Sequence, residues 1–244
     1  MFKIKGKTVL VTGANRGIGL AFVNALLEKG VNKIYAVGRD LTSLKDVVAI
    51  NPNVIELIVC DVTNSEHIQN LTKKINHLDI LINNAGIANA CFNTADNAVE
   101  IAKKEMDTHY FGPMQITQAC LPMLKGSKQA AIVNIASVAA LSNFPSLGPY
   151  SATKAALMSF TQGLRIELAG DNIKAVCVYP GPTDTRLAPG DIPKAKPQSI
   201  AQNTLIALES GQLDIYPDDF SKSMFKQFEE GADTLAQAYA QMHG

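Results

Sequence analysis

The sequence predicts a doubly wound α/β fold, in which helices cover both faces of a parallel sheet of about seven strands. Apolar, β-branched runs recur along the 244 residues, helix-period segments separate them, and no internal repeat or low-complexity tract breaks this order. A strand covered on both faces can be continuously apolar, which is the pattern of these runs. We therefore expect a Rossmann-type sheet, whose ligands bind at the carboxyl ends of the strands.

The elements follow one another in regular alternation. Candidate strands are the runs at 8–13, 33–38, 54–62, 78–86, 130–137 and 173–181, with a short strand-like LDIYP at 213–217 to complete the sheet. Helical periodicity is predicted at 18–29, 65–77, 98–124, 150–169, 198–210 and 219–242. The Pro-rich segment from Pro180 to Pro197 predicts a long surface loop, and since no linker divides the chain we expect one domain over residues 1–244.

Composition and charge argue against several functional classes. The 22 Lys and Arg residues balance 22 Asp and Glu residues, so nothing favours nucleic acid or an anionic membrane surface as a partner. No apolar run reaches the length of about 18 residues that a membrane-spanning helix needs, and we recognise no secretory signal. Cysteines and histidines are dispersed without zinc-ligand spacing, so we expect no metal site. We expect the four cysteines to be buried free thiols in a reducing cytoplasm; they are Cys60, Cys91, Cys120 and Cys177.

The first predicted strand runs into TGANRGIG, which places Gly13, Gly17 and Gly19 at the start of a helix. Such a loop lets the backbone approach a pyrophosphate while free N–H groups and the helix dipole face it. The GxxxGxG spacing differs from both GxGxxG and GxxxxGK[ST], so these general motifs support a phosphate-binding loop only loosely. The alternative is a tight turn that binds nothing.

The second strand ends in GRD at 38–40, where the ribose of a dinucleotide is recognised. An acidic residue there would bind the ribose hydroxyls and favour NAD. Arg39, together with Arg16 of the glycine loop, could instead bind a 2′-phosphate through charge-assisted hydrogen bonds, which favours NADP. The alternative is that Arg39 is a solvated surface charge and that Asp40 turns inward.

Small or short polar residues follow the third and fourth strands. Asp61 and Val62 could bind the amino group and the face of an adenine, and Ala85 and Gly86 leave the path of a ribose clear of side-chain bulk. Each signal is weak alone, because an Asp after a strand is often a helix cap and NNAG is a plausible loop.

A candidate acid/base pair follows the fifth strand. Ser137 ends that strand, and YSATK begins thirteen residues later, with Tyr150 and Lys154 four residues apart on one helix face. A nearby ammonium lowers the pKa of a phenol from its reference of about 10, so the phenol can act as an acid or base near neutral pH. An ordinary Tyr and Lys on a helix surface is the alternative, and Ser137 and the glycine loop upstream weigh against it.

Taken together, TGANRGIG, NNAG, Ser137, YSATK and the PGPTDT after the sixth strand resemble the short-chain dehydrogenase/reductase family in its compact single-domain branch. The resemblance is strong from about Lys7 to Thr185 and looser to Pro217. It implies an NADP(H)-dependent oxidoreductase of the carbonyl reductase or alcohol dehydrogenase type, with dinucleotide binding and catalysis in one domain. By this resemblance Tyr150 is the acid/base, Ser137 holds the substrate oxygen, and Lys154 binds the nicotinamide ribose and lowers the Tyr150 pKa.

The resemblance also implies the residues that bind NADP(H) and a homodimer or homotetramer built on the helices at 98–124 and 150–169. The cofactor-binding set comprises Gly13, Arg16, Gly17, Ile18 and Gly19 at the phosphates, Arg39 at the 2′-phosphate, Asp61 and Val62 at the adenine, Asn83, Ala85 and Gly86 in the sheet-stabilising and ribose-facing loop, Tyr150 and Lys154, and Pro180, Gly181, Thr183 and Thr185 at the carboxamide and diphosphate.

The chain departs from the family in two places. His109, in THYFG, stands where the family usually has an Asn that supports a water-mediated proton relay to the lysine. A neutral imidazole could keep that relay, or the ring could merely pack within the helix.

The second departure is the short loop at 186–198, which replaces a helical lid and predicts an open cleft. Plausible wall positions are Ser142, Asn143, Phe144, Ala88, Asn89 and Leu187.

Other functions remain to be weighed. A non-catalytic NADP(H)-binding redox sensor could lose its Tyr or Ser freely, whereas both are present. A sugar epimerase or dehydratase of the extended branch would need a TGxxGxxG loop and a larger C-terminal substrate domain, and neither is found. Fold alone does not decide among such functions.

Overall fold

The strands of the described chain form one parallel sheet. The computed structural model describes residues 2–188 and 190–243, so Met1, Gly244 and, within the predicted loop, Pro189 lie outside it. The strand order is β3-β2-β1-β4-β5-β6-β7, which confirms the doubly wound fold. The strands are β1 (Thr8–Thr12), β2 (Lys33–Gly38), β3 (Ile55–Val59), β4 (Ile80–Asn83), β5 (Ala130–Ile135), β6 (Ile173–Val178) and β7 (Asp214–Ile215).

Helices on both faces connect the strands. They are α1 (Gly17–Glu28), α2 (Leu41–Ile50), α3 (Ser65–Thr72), α4 (Ala98–Met106), α5 (Gly112–Lys125), α6 (Gly148–Glu167), α7 (Pro197–Ser210), α8 (Asp219–Glu230) and α9 (Ala232–His243). A π-helical turn at Asp107–Phe111 joins α4 to α5, and a 3₁₀ turn spans Val138–Ala140. No helix within the described ranges has the length and apolarity needed to cross a bilayer.

The helices differ from the prediction at several points, and the one predicted at 65–77 ends at Thr72. The stretch predicted as one helix at 98–124 contains the π-helical turn, and the one at 219–242 breaks at Gly231, whose φ of 147° is outside the helical region. Helix α2 has no predicted counterpart. Within α2 only Leu44 and Val47 are buried, so its periodic apolar signal is weak, and the Asp40 side chain caps its first turn.

The core lies on both sides of the sheet. Val9 and Val11 of β1 face a cluster with residues of α1 and α7, whereas Leu10 between them faces a cluster with residues of α3, α5 and α6. Since every residue of β1 is buried, and each buried aliphatic side chain contributes about 1.5–3 kcal/mol, the central strands form a stable base for the loops at their carboxyl ends. Cys60, Cys91, Cys120 and Cys177 are buried free thiols.

The strand order reverses between β1 and β4. Strand β1 pairs with β2 on one side and with β4 on the other, so the chain runs outward in both directions from this point. In open α/β sheets a crevice forms there, outside the carboxyl ends of the strands. The loops after Thr12 and after Asn83 border this crevice.

A third apolar cluster lies beside the loop after β5. Leu235 and Tyr239 of α9 are buried against the 3₁₀ turn, and the Tyr239 hydroxyl donates a hydrogen bond to the Val138 carbonyl at 3.0 Å. The ring of Phe144 packs edge-on against Tyr239, with centroids 5.3 Å apart. The C-terminal helices therefore support the segment that carries Ser137.

Candidate active site

The glycine loop adopts a conformation that side chains would prevent. Gly13 and Gly17 have positive φ angles of 66° and 54°, and a Cβ on Gly19 would collide with the Gly13 carbonyl. A Cβ on Gly17 would lie 3.1 Å from Cγ2 of Thr185, so the loop and the segment after β6 are neighbours. This cradle of bare backbone at the start of α1 fits a pyrophosphate. Arg16 beside it is exposed, and Ile18 packs against the core.

Hydrogen bonds across the crevice hold the glycine loop to the loop after β4. Asn84 donates from Nδ2 to the carbonyls of Thr12 and Gly13, at 2.9 and 3.3 Å. The Thr12 hydroxyl oxygen accepts in return from the N–H groups of Asn84 and Ala85, at 2.9 and 3.0 Å. Thr12 and Asn84 are therefore site-building residues that the sequence analysis missed. The sequence feature that could have identified them is a short polar residue at the ends of two adjacent strands, Thr12 at the end of β1 and Asn84 directly after β4.

The two residues after β2 have different surroundings. The Asp40 carboxylate caps α2, accepting from the N–H groups of Thr42 and Ser43 at 3.0 and 3.1 Å. The Ser43 and Thr42 hydrogen bonds hold the pKa of Asp40 below its usual value. Asp40 is exposed rather than turned inward, and Arg39 beside it is exposed as well. The guanidinium group is thus the charge that this strand end offers to a ligand.

A polar link that the sequence analysis missed joins the glycine loop to α2. Asn15 donates from Nδ2 to the hydroxyl of Ser43 at 3.1 Å. This places the start of α2 beside the loop that carries Arg16. The two arginines therefore lie on segments that are connected by a direct hydrogen bond.

Asp61 and Val62 follow β3 as predicted. The Oδ1 atom of Asp61 accepts from the N–H and the hydroxyl of Thr63, at 2.9 and 2.8 Å. Partial burial opposes ionisation of Asp61, but the Thr63 hydrogen bonds and the charge of Arg39 outweigh it and lower its pKa. Val62 is buried and lies against Gly112, where a Cβ would be 3.1 Å from Cγ2 of Val62.

Asn83 lies inside the protein rather than in the crevice. Its Nδ2 donates to Oδ1 of Asn134 at 2.8 Å and to the Thr117 hydroxyl at 3.3 Å. Asn134 donates in turn to the hydroxyl of Thr161 at 2.8 Å. This chain of buried hydrogen bonds ties β4 and β5 to α5 and α6. Ala85 and Gly86 are half-buried in the adjoining loop.

Ser137, Tyr150 and Lys154 come together at the carboxyl end of β5. Ser137 precedes the 3₁₀ turn, where its hydroxyl accepts from the N–H of Ala139 at 3.2 Å. Tyr150 lies in the first turn of α6 with its side chain partly exposed. Lys154 is buried, with its Nζ donating to the Ile135 carbonyl at 2.8 Å and lying 5.5 Å from the centroid of the Tyr150 ring.

The pKa of the Tyr150 phenol moves in the direction opposite to the sequence-based expectation. Burial raises it to about 12, the charge of Glu105 adds to the rise, and a hydrogen bond with Ser137 offsets part of it. Burial also lowers the pKa of Lys154 to about 8. Desolvation of the phenol therefore outweighs the stabilisation that the Lys154 ammonium, held by the Ile135 carbonyl, would give to the phenolate.

Both ring nitrogens of His109 have partners. Nε2 accepts from the N–H of Ile87 at 3.0 Å, and Nδ1 lies 2.8 Å from the Thr153 hydroxyl, which itself donates to the Tyr150 carbonyl. The ring is therefore the Nδ1–H tautomer. Burial and the charge of Lys154 hold its pKa well below 6.5. It packs edge-on against the Tyr150 ring with centroids 5.4 Å apart, so the geometry favours packing over a relay through the imidazole.

The PGPTDT segment is fixed by a residue from α8. The N–H of Gly181 donates to Oδ2 of Asp218 at 2.9 Å, while Oδ1 of Asp218 accepts from the N–H of Ser221 in a capping box. Thr183 is buried and donates to the Gly181 carbonyl at 3.0 Å. Pro180 is buried, and Thr185 faces Gly17. The signal for Asp218 was a capping pattern at 218–221.

The residues predicted to line the substrate cleft differ in their exposure to solvent. Asn89, Asn143 and Leu187 are exposed, whereas Ser142, Phe144 and Ala88 are partly buried. Asn143 donates to the Gly148 carbonyl at 3.1 Å, which braces the start of α6. The loop predicted at 186–198 forms turns and bends rather than a helical lid in its described residues up to Lys196, and α7 begins at Pro197.

A buried carboxyl group was also missed by the sequence analysis. Glu105 of α4 is fully buried, one helical turn before His109, and its Oε1 accepts from the N–H and the Nδ2 of Asn89 at 2.9 and 3.1 Å. Burial raises its pKa. Glu105 and His109 thus hold two positions of the loop after β4.

Comparison with known proteins agrees with this geometry. Residues 7–195 match the family model described as short chain dehydrogenase. Among curated proteins, the chain is 36% identical over 177 residues to VdlC of Helicobacter pylori, described as a probable short-chain type dehydrogenase/reductase, covering 71% of this chain and 64% of that protein. It is 35% identical over 217 residues to an uncharacterised oxidoreductase of Staphylococcus aureus, covering 85% of this chain and 93% of the relative.

Solved structures share the architecture over nearly the whole chain. A short chain dehydrogenase from Burkholderia cenocepacia in complex with NADP aligns with a TM-score of 0.91 and 31% identity, covering 98% of this chain and 99% of that one. A short chain dehydrogenase/reductase from Burkholderia phymatum in complex with NAD aligns with a TM-score of 0.81 at 22% identity, covering 94% and 95%, and shows the fold alone. Because the family model spans most of the chain and places the glycine loop and the Ser, Tyr and Lys residues within its match, the chain belongs to the short-chain dehydrogenase/reductase family of oxidoreductases.

Proposed function

We propose that this protein is an NADP(H)-dependent carbonyl reductase or alcohol dehydrogenase, which transfers hydride between nicotinamide and a carbonyl or secondary alcohol. The observation that carries the proposal is the convergence of Ser137, Tyr150 and Lys154 beside the crevice that the glycine loop borders. When bound, the nicotinamide supplies or accepts the hydride.

Tyr150 and Ser137 act on the substrate oxygen in this proposal. With its pKa near 12, Tyr150 carries its proton at neutral pH and is the donor that carbonyl reduction needs. The Ser137 hydroxyl holds the same oxygen, and the two groups stabilise the alkoxide that develops on it. The Lys154 ammonium, fixed over the Tyr150 ring, stabilises the phenolate that the proton leaves behind.

The cofactor-binding roles follow from the positions of the residues. Gly13, Gly17 and Gly19 present backbone N–H groups to the diphosphate, Asp61 and Val62 adjoin the adenine, and Lys154 binds the nicotinamide ribose. NADP is preferred because Arg39 and Arg16 are exposed while the Asp40 carboxylate is committed to capping α2. The relative bound to NADP, at 31% identity, supports this preference.

We place the protein in the cytoplasm, since its buried free thiols suit a reducing compartment.

A homodimer or homotetramer is proposed because exposed apolar side chains, including Val99, Phe111 and Ile166, lie along the α4–α6 surface.

The test of the proposed function is a panel of aldehydes, diketones and quinones assayed by NADPH absorbance. We expect turnover with at least one class and its loss in Tyr150→Phe, while the Kd for NADPH changes little because a proton donor and not a cofactor contact is removed. Tyr110→Phe is the control, since it removes a phenol hydroxyl outside the site. NADPH binding without turnover across the panel would favour a redox sensor instead.

A further inference from the structure

Glu105 is a buried carboxyl group that the proposed chemistry leaves without a role. Its Oε1 accepts two hydrogen bonds from Asn89, whereas its Oε2 is buried and has no hydrogen-bond partner among the described residues. A carboxylate oxygen withdrawn from water without a partner is costly, so the proton of the neutral acid resides on Oε2. Burial therefore favours the protonated form of Glu105 over its carboxylate.

The groups that face Glu105 belong to the proposed active site. Helix α4 packs against α6, which carries Tyr150 and Lys154, and the ring of His109, one turn after Glu105, lies 5.4 Å from the Tyr150 ring. The ionised carboxylate acts to raise the pKa of Tyr150 and of Lys154, and the Lys154 ammonium acts to lower the pKa of Glu105. His109 lies one turn further along the same segment, with both nitrogens bonded to Ile87 and Thr153. On the exposed side of α4, Lys104 pairs with Glu100 at 2.7 Å.

We propose that Glu105 is the internal proton partner of Lys154, restoring the proton that Tyr150 gives to the substrate. This inference rests on the proposed function. After Tyr150 has protonated the alkoxide, the Lys154 ammonium donates a proton to the phenolate. The O–H bond at Oε2 of Glu105 then breaks and an N–H bond forms at Nζ of Lys154, directly or through one water, which leaves a carboxylate beside an ammonium.

Solvent closes the cycle. Asn89, which donates two hydrogen bonds to the same carboxyl group, is exposed, so we take its side of Glu105 as the route by which a proton from water returns. Glu105 takes part only in proton transfer, since the hydride carries both electrons of the reduction. It acts through Lys154 and is a positioning and proton-supplying residue rather than one that contacts substrate.

An anchoring role alone is the rival explanation, and Glu105→Gln separates the two. The Gln carbonyl keeps the Oε1 contacts with Asn89, but the amide cannot exchange a proton. Anchoring alone therefore predicts a variant with unchanged kinetics. Glu100→Gln is the matched control, because it removes a carboxylate from the exposed face of the same helix.

The first experiment needs no cofactor. Protein labelled with ¹³C at the glutamate carboxyl group is titrated by NMR, and the Glu105 resonance is identified by its loss in Glu105→Gln. We expect its midpoint above that of an ordinary glutamate, and still higher in Lys154→Met, because a neighbouring positive charge is removed. A midpoint at the ordinary glutamate value that does not respond to Lys154→Met overturns the proposal.

The second experiment measures kcat against pH with NADPH and the best carbonyl substrate. We expect Glu105→Gln to lower kcat about tenfold or more, to increase the solvent deuterium isotope effect, and to leave the Kd for NADPH within about twofold. Because Glu105 must be protonated to donate, wild-type kcat should fall as pH rises through its pKa, and the Gln variant should lack this step.

The outcomes distinguish the two proposals. A wild-type protein without carbonyl turnover contradicts the proposed function, while the NMR titration still decides the Glu105–Lys154 coupling. Turnover with an identical pH profile in Glu105→Gln contradicts the Glu105 proposal alone. If the Gln variant does not fold, Glu105→Asp identifies the resonance and should retain the titrating step with reduced kcat, and an Asp variant without that step overturns the role.

Discussion

The imidazole of His109 accepts a hydrogen bond from the backbone N–H of Ile87, with 3.0 Å between Nε2 and the nitrogen. This contact joins the π-helical turn after α4 to the loop after β4 and requires a neutral ring. Protonation of the ring would therefore break this contact.

Folding stability should therefore decline in acid because of His109. Its pKa is lowered in the folded protein, so the unfolded chain binds more protons between the folded value and about 6.5, and the free energy of unfolding falls as pH drops through that window. Urea unfolding between pH 5 and 8 measures the slope. His109→Asn should reduce this slope. An equal slope in His109→Asn would contradict this.

His109→Leu tests the same contact at neutral pH. It leaves the Ile87 N–H without its acceptor, so we expect a loss of about 1–3 kcal/mol in the free energy of unfolding. Recovery of most of that stability in His109→Asn, whose amide oxygen can accept, would support the assignment. Wild-type stability in the Leu variant would argue against it.

Arg39→Ala should reduce the preference for NADPH over NADH at least tenfold in kcat/KM, because a charge-assisted hydrogen bond of this kind is worth about 1.5–3 kcal/mol. Initial rates with both cofactors provide the measurement. Asp40→Ala is the control, and it should cost about 1 kcal/mol of stability through the lost helix cap. Unchanged selectivity in Arg39→Ala would remove the basis of the NADP preference.

Asp218→Ala should both destabilise the protein and weaken cofactor binding. It removes the cap of α8 and the acceptor of the Gly181 N–H, which together should cost about 1–3 kcal/mol, and it loosens the segment that adjoins Gly17. Thermal unfolding and NADPH titration check the two effects. Asp219→Ala, at the adjacent exposed position, should change neither. A variant with full stability and unaltered affinity would refute this role.

Ile166→Glu should weaken self-association. The Ile166 side chain is 82% exposed on α6, and a buried charge at a subunit interface is unfavourable. Light scattering at micromolar concentration should give a dimer or tetramer for the wild type and a smaller species for the variant. Ile50→Glu on α2 is the control. A monomeric wild type would end the claim.

Much of the fold and the conformation of the glycine loop could be predicted because their signals are local. The strand runs are continuously apolar, as burial on both faces requires, and all six long runs contain a strand of the sheet. The glycines of TGANRGIG occupy positions where the backbone itself demands them, at the positive φ of Gly13 and the close approach at Gly19. Tyr150 and Lys154 share a helix face through their spacing alone.

Other features depended on contacts between distant segments. Asp40 caps α2, a helix with two buried residues that begins directly after it. Asp218 reaches Gly181 across 37 positions of the chain, and Glu105 reaches Asn89 only because α4 packs against that loop. No periodicity in the sequence reports such pairings.

By itself, the sequence determined the order of the strands and of most helices, the place of the glycine loop and the candidate acid/base pair, since each follows from local pattern and backbone geometry. Only the tertiary structure decided the charge states around that pair. Desolvation raises the Tyr150 pKa and the charge of Glu105 adds to the rise, whereas the helical spacing alone had suggested that Lys154 would lower it. The physical reason is that burial is a property of the packed chain, whereas spacing belongs to one helix.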